Sequence, residues 1–404
     1  MDDLLVALCG NPALPPALVD RLIGLAAENA AATAAATAGK NADVRAMVAG
    51  NPATPPETLV VLVANDPPAA VCRVCEQEPI PFRHDPDCLR GDCTLPPGAR
   101  CTGSHESAVH NLRHRAVDNP STPAGTVARL AVDPPLALRY ALAARPDLPH
   151  WAAERLVTDP APGVRHTLAE NPGLAPDLIE RLAGDPLAPV RQRLARNPAL
   201  PLAVLARLTG TTRIGPVLLP RVAAATEAEV RDLAASADPE LRMLVAVRRD
   251  LPDDVRDALA EDPDAKVVAA VAGHPGLAGA VLGRMVAVHG VRVNCQVAGN
   301  PDAPADLLRQ LARGIPRVPK ALREIARHPN ADAATLELCL ATVEPSDYRA
   351  RAIAAGHPAL PPGRIAALLA DPDPRVAESA AGNPSLPVAA MIRLVSDRER
   401  PARP

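Results

Sequence analysis

The sequence predicts an all-α solenoid of about thirteen repeats, each about 26 residues long and made of two short helices, without a sheet. Three observations predict this fold. An Asn-Pro pair or a variant of it recurs at regular intervals, apolar residues around it have helical spacing, and no run of alternating Val or Ile indicates a strand. The chain has 48 prolines in 404 residues, and their periodic placement indicates repeat boundaries instead of disorder.

The repeat register is marked by the residue before the recurring proline. The steps from Asn119 to Asn197 are each 26 residues, and the gap from Asn197 to the next mark is twice that, which predicts one eroded repeat between them. We interpret each mark as a turn residue whose side chain satisfies backbone groups freed by the proline. Because the His marks lie in different repeats, we interpret them in the same way and not as metal ligands. The marks are Asn11, Asn51, Asn119, Arg145, Asn171, Asn197, Arg249, His274, Asn300, His328, His357 and Asn383.

Each repeat begins with a short helix, as in "PVRQRLAR", where Val190 and Leu194 lie on one helical face. Asn197-Pro198 ends that helix, because a residue before proline is disfavoured in the α region. The second helix, in "LPLAVLARLTG", starts with a proline in its first turn and carries a leucine stripe. One helix pair cannot bury its apolar face alone, so neighbouring repeats are expected to stack.

Composition limits the classes of function. Only four residues are aromatic, so the core is expected to consist of Leu, Val and Ala. The net charge of -3 provides no broad basic field that would attract nucleic acid. No signal-peptide pattern or membrane-spanning stretch is visible, and we expect a cytoplasmic protein. Phosphate-binding glycine loops, nucleophile elbows and H-E-x-x-H motifs are missing from the sequence, which predicts a protein that is not an enzyme.

Two steps of the register are much longer than the period and identify insertions. The step from Asn11 to Asn51 contains an Ala-rich linker at 26–40, and the step from Asn51 to Asn119 contains a cysteine-rich segment. We therefore expect N-terminal repeats in 1–70, a cysteine-rich insertion in 71–104, a main repeat array in 105–397 and a disordered tail in 398–404.

The cysteine-rich segment reads "VCRVCEQEPIPFRHDPDCLRGDC" and predicts a metal site. In a reducing compartment, clustered cysteines indicate metal binding more than disulfides. Four thiolates so close together suit zinc or an iron–sulfur cluster, and Gly91 would permit a tight turn between two of them. The expected ligands are Cys72, Cys75, Cys88 and Cys93. Possible additional ligands are Cys101, His84 and His105. The remaining cysteines, expected in the core, are Cys9, Cys295 and Cys339.

The recurrent pattern VRxxLAxNPxLPxxLLxxLAxDP resembles the leucine-rich repeat variant family, most clearly at 164–186 and 374–397. The resemblance covers most of the chain outside 26–40 and 71–104. It implies a right-handed superhelix that alternates an α-helix with a 3₁₀ helix, and a [4Fe-4S] cluster held by the four cysteines of the inserted segment. Zinc is the alternative metal. HEAT-like repeats are the alternative fold, against which the regular Asn-Pro pairs count.

Two rows of arginines recur at fixed distances from the register marks. In a solenoid such residues align, and they could bind an acidic partner or a phosphate backbone. The favoured interpretation is local pairing, because Asp133, Asp159 and Asp185 each follow an arginine by four residues. The row six residues before the mark contains Arg113, Arg139, Arg165 and Arg191. The row ten residues after it contains Arg129, Arg155, Arg181 and Arg207.

These features predict a scaffold without enzymatic activity that binds a protein partner and carries a four-cysteine metal module. A redox or electron-transfer protein is the second hypothesis, in which a [4Fe-4S] cluster is the working part. Nucleic-acid binding through the arginine rows is a weaker third hypothesis, because base stacking needs aromatic side chains.

Overall fold

A computed structural model of the chain describes residues 8–9, 11–12, 14–19, 21–22, 42–64, 73–74, 77, 84–99, 106–341 and 348–399. Within these residues the fold is helical and has no strand. The chain forms two compact units, Met1–Leu208 and Thr209–Pro404, and the boundary falls inside the predicted main array. The Ala-rich linker at 26–40 and residues 400–404 of the predicted tail lie outside the described residues. In the described part, no helix has the length and apolar character needed to cross a membrane.

The first unit consists of helix pairs that follow the predicted register. Its helices are α1 Ala42–Gly50, α2 Pro56–Ala64, α3 Glu106–Asp118, α4 Ala124–Leu130, α5 Leu136–Ala144, α6 His150–Leu156, α7 Pro162–Ala169, α8 Pro176–Ala183, α9 Ala188–Leu194 and α10 Leu202–Thr209.

The second unit continues the pattern with two irregular repeats. Its helices are α11 Pro220–Ala223, α12 Glu227–Ala234, α13 Pro239–Ala246, α14 Asp253–Ala260, α15 Ala265–Val271, α16 Gly279–His289, α17 Asn294–Ala298, α18 Ala305–Arg313, α19 Pro319–Arg327, α20 Ala333–Leu340, α21 Tyr348–Ala355, α22 Pro362–Leu368, α23 Pro374–Ala381 and α24 Val388–Glu399. The 3₁₀ helix Gly290–Arg292 lies between α16 and α17.

Helix starts follow from local chemistry. Proline occupies the first turn of many helices, where its missing N–H leaves no hydrogen bond unmade, as at Pro162 and Pro176. Thr226 caps α12 in a reciprocal arrangement: the Glu229 amide donates to the Thr226 hydroxyl, and the Thr226 amide donates to the Glu229 carboxylate. Both helices of a repeat are α-helical, and in the described part the 3₁₀ helix that the family resemblance implies occurs once.

The core of each unit lies between stacked repeats. The first helices of successive repeats pack directly on one another, as α7 does on both α5 and α9, and as α23 does on α21. Val164 and Leu168 of α7 and Leu194 of α9 are fully buried by this stacking. The buried side chains are mostly Leu, Val and Ala, which confirms the expected core composition.

Candidate metal centre and inter-repeat contacts

The register asparagines form a ladder of hydrogen bonds between repeats. The Asn197 side-chain amide donates to the carbonyls of Ala169 (2.9 Å) and Asn171 (2.8 Å) of the preceding repeat. Its carbonyl oxygen accepts from the Ala199 amide at 2.8 Å, which is the turn contact that the sequence predicts. Asn197 is fully buried. The ladder residue therefore stabilises a turn and also joins two repeats, and only the first role was predicted.

Other side chains replace asparagine in the ladder and keep its contacts. The Arg145 guanidinium donates to the carbonyls of Val117 and Asn119 (2.7 Å). His328 Nε2 lies 2.7 Å from the Asn300 carbonyl, and its Nδ1 accepts from the Asn330 amide at 3.1 Å. His357 makes the same two contacts, which confirms the predicted turn role for these two histidine marks, whereas the buried Nε2 of His274 has no hydrogen-bond partner in the described part of the chain.

One register assignment was wrong. In the repeat that begins with α13, the buried ladder residue is Arg248 and not Arg249. Arg248 donates to the carbonyls of Val222 and Ala225 at 2.9 Å each. The neighbouring Leu251-Pro252 carries the signal that was missed, since Leu and Pro stand three and four residues after most marks.

The ladder is continuous across both insertions of the first unit. Asn119 donates to the carbonyls of Ala49 (2.8 Å) and Asn51 (2.7 Å), about seventy residues away on the other side of the cysteine-rich segment. Asn51 in turn donates to the carbonyl of Asn11 at 2.9 Å, across the Ala-rich linker. The inserted segment therefore leaves the stacking of α1 on α3 intact.

The cysteine-rich segment is attached to α3 by a small apolar cluster. Buried Val74 packs with Ala108 of α3, and Leu95 and Ala99 lie against them. The Ala99 carbonyl accepts from the backbone amide of His84 at 2.7 Å. His84 is consequently buried, whereas most of the surrounding loop is exposed.

Two consecutive turns place Cys88 and Cys93 beside His84. The Cys88 amide donates to the Asp85 carbonyl and the Cys93 amide to the Arg90 carbonyl, each at 3.2 Å, so each cysteine is the fourth residue of a tight turn. Gly91 does not have a positive φ, so the second turn does not depend on a glycine, contrary to the sequence interpretation.

These two turns create a three-residue candidate metal centre. Ligand atoms of His84, Cys88 and Cys93 all lie within 4.8 Å of one another, and Cys93 Sγ is 3.4 Å from His84 Nε2. His84, predicted only as a possible extra ligand, thus lies within ligand distance of both cysteines. The other predicted ligands, Cys72, Cys75, Cys101 and His105, lie outside the described residues.

The arginine row before the register mark forms ion pairs between repeats. Arg165 Nε lies 2.7 Å from the carboxylate of Asp185, twenty residues later, and Arg139 has the same relation to Asp159. The hydrogen bond to Asp185 raises the pKa of Arg165. Arg191 donates to the Asp185 backbone carbonyl, while Arg113 is half-buried and has no ion-pair partner in the described part of the chain.

The arginines ten residues after each register mark have other partners. The prediction that they pair with the aspartates four residues later was therefore wrong. Arg155 donates to the Val132 carbonyl of the preceding repeat, and Arg207 pairs with Glu180 across repeats. Arg129 donates to the Thr126 hydroxyl at 3.2 Å, and Arg181 is exposed. Two of the three aspartates predicted to pair locally, Asp159 and Asp185, are instead bound by Arg139 and Arg165 of the first row.

Two of the three remaining cysteines lie in the core as predicted, and the third is only partly buried. Cys9 and Cys339 are fully buried and Cys295 is half-buried. Burial raises the pKa of the Cys9 and Cys295 thiols, which disfavours the reactive thiolate.

Comparison with known proteins supports the repeat assignment. Two segments of the chain match the leucine rich repeat variant family. They are residues 42–68 and 348–373, which contain α1 with α2 and α21 with α22. The matches therefore lie in different units, and each includes one complete helix pair. No curated protein was found to match the chain.

Proposed function

We propose that the protein is a helical repeat scaffold without enzymatic activity, which binds a protein partner and carries a metal-stabilised module on its first unit. The observation that supports this proposal most directly is that the ladder continues across the cysteine-rich segment. Because Asn119 bonds to the repeat before the insertion, the scaffold does not need the cysteine-rich segment for its stacking. The cysteine-rich segment is then a separate module attached to the stacked repeats of the first unit.

The donor set of the module suits one zinc ion. Tetrahedral zinc with bonds of about 2.0 Å to nitrogen and about 2.3 Å to sulfur places its ligand atoms about 3.5 Å apart. The separation of 3.4 Å between Cys93 Sγ and His84 Nε2 fits that geometry. Cys88 would supply a third ligand, and one of the cysteines outside the described residues the fourth. Such a closed site would hold the two turns together without catalysing a reaction.

An iron–sulfur protein is the second candidate, supported by the four-cysteine segment and its family resemblance. A [4Fe-4S] cluster held by Cys72, Cys75, Cys88 and Cys93 would supply one-electron chemistry. Buried His84 would then have no ligand role beside the two thiols. We therefore favour zinc, and retain the cluster as the alternative that metal analysis decides.

Metal analysis of anaerobically purified protein tests both candidates. We expect about one zinc per chain, without visible absorption, in protein from iron-replete cells. His84→Ala and Cys93→Ser should each lower the zinc content and the resistance of the segment to proteolysis. Iron with sulfide and a brown colour bleached by dithionite would instead establish the cluster.

The chain offers a matched control for adventitious metal binding. His150 lies near Glu154 and Asp177 in a second three-residue group that is fully exposed. Both of its ion pairs have 3.6 Å separations, longer than the contact at His84. His150→Ala should therefore leave the zinc content unchanged. Equal loss of metal in His150→Ala and His84→Ala would refute the proposed site, as would purified protein without any metal.

A further inference from the structure

The second unit contains a groove of about 370 Å³. Its floor is formed by α13 and α15, with Met243 from the first helix and Ala269 and Ala270 from the second. One wall is the segment around Gly215-Pro216, and the opposite wall contains Arg292 and Gln296. The groove therefore involves residues of four consecutive repeats on the side formed by their first helices.

The groove exists because the first helices on both sides of α13 and α15 are incomplete. Residues 210–219 are not helical, and Gly215 has a φ of +82°, a left-handed conformation that favours glycine. On the other side, α17 has only five residues and follows the 3₁₀ helix Gly290–Arg292. Both flanks thus contain less helix than a regular repeat, and the half-buried Ala269 and Ala270 of α15 line the groove together with Met243 of α13, which is almost fully buried.

The residues of the floor differ in kind from their equivalents in α9 of the first unit. Five and four residues before the ladder residue, α9 has Gln192 and Arg193, two long polar side chains. At the same two positions α15 has Ala269 and Ala270, both only half-buried. An apolar floor of small residues replaces a polar surface at this place in the array.

Charge at the rim indicates the chemistry of an occupant. Three cations, Arg213, Lys266 and Arg292, line the groove with a single carboxylate, Glu240, which pairs with Lys266. Arg292 is exposed and has no ion-pair partner in the described part of the chain. The rim is therefore positive although the chain as a whole is negative.

We propose that this groove binds an acidic segment of a partner protein whose apolar side chains rest on Met243, Ala269 and Ala270. The proposal rests on the scaffold function above and specifies the class of partner. Apolar side chains would gain burial on the alanine floor, and neighbouring carboxylates would contact the cationic rim. The exposed apolar residues Val217 and Val291 lie next in sequence to the walls and extend the apolar surface.

A labelled acidic peptide, in which two leucines interrupt a run of glutamates, is the probe, measured by fluorescence anisotropy on the full-length chain. Two matched peptides replace the leucines by serines or the glutamates by lysines. We expect saturable binding of the first peptide and binding weaker by roughly tenfold or more for each of the others.

Two variants locate the binding. Ala269→Gln with Ala270→Arg installs the pair found at Gln192 and Arg193, which a ladder helix already accommodates, and should fill the groove. Arg292→Glu alters an exposed side chain and should reduce binding without a folding defect. Arg181→Glu, an exposed arginine of the first unit, is the control and should bind like the wild type.

The proposal fails if the acidic peptide does not saturate, if the lysine peptide binds equally well, or if the double variant binds like the wild type. Loss of binding in Arg292→Glu with full retention in the double variant would also overturn it, because attraction to surface charge would then suffice. Any of these results leaves the metal-stabilised scaffold untouched, since metal analysis tests that separately.

Discussion

Removal of a single ladder side chain should destabilise the first unit more than any exposed substitution. Asn197→Ala deletes three hydrogen bonds, two buried ones to the carbonyls of Ala169 and Asn171 and a partly buried one from the amide of Ala199. Each such bond contributes about 1 kcal/mol net, so we expect the free energy of unfolding to fall by about 3 kcal/mol.

The assay is equilibrium unfolding in guanidinium chloride, followed by the fluorescence of Trp151. This residue is the single tryptophan of the chain and lies on α6, so its signal reports on the unit that contains Asn197. Arg196→Ala changes the adjacent exposed residue and should alter the free energy of unfolding by less than about 0.5 kcal/mol.

Asn197→His provides a graded test, because His328 occupies the equivalent position with one donor to the preceding repeat and one acceptor for the turn. The His variant should retain two of the three hydrogen bonds, and its free energy of unfolding should fall by about 1 kcal/mol. The reasoning is refuted if Asn197→Ala falls within about 1 kcal/mol of the Arg196→Ala control, or if the His variant is less stable than the Ala variant.

Three other results are expected. Burial, assisted by Arg249 and opposed by the Ala246 carbonyl, lowers the pKa of His274 from 6.5 to about 4. As the pH falls, His274 of the unfolded chain therefore binds a proton before His274 of the folded chain does. The free energy of unfolding should then decline between about pH 6.5 and about pH 4. In urea unfolding at these two pH values, His274→Asn should lose roughly 3 kcal/mol less than the wild type. Asp185→Asn should destabilise the first unit by about 3 kcal/mol because it leaves half-buried Arg165 without its buried carboxylate partner, and the double variant with Arg165→Met should be more stable than the single one in thermal denaturation. Thr226→Ala should cost about 1 kcal/mol of unfolding free energy in the second unit and Thr226→Ser much less; equal stability of the two would argue against the cap.

The sequence by itself determined the repeat and its local structure. Proline ends one helix and starts the next through constraints within a few residues, so Asn197-Pro198 marks a boundary without knowledge of the fold. Leucine spacing fixes which face each helix buries, and the step lengths around Asn51 locate both insertions. Cysteine clustering likewise indicated Cys88 and Cys93, which two local turns bring close together, and their role as metal ligands stays a prediction.

Only the tertiary structure decided which groups meet across repeats. Asp185 lies four residues after Arg181 in sequence, yet the stacking of helices brings it to Arg165, twenty residues before it. The second role of Asn197 depends on carbonyls that an adjacent repeat presents, and no pattern within one repeat specifies them. His84 joined the cysteine pair because a hydrogen bond to Ala99 holds its backbone beside them. The groove over Ala269 arises because the first helices on either side are incomplete. The physical reason is the same, since contacts between elements depend on what neighbouring repeats leave exposed.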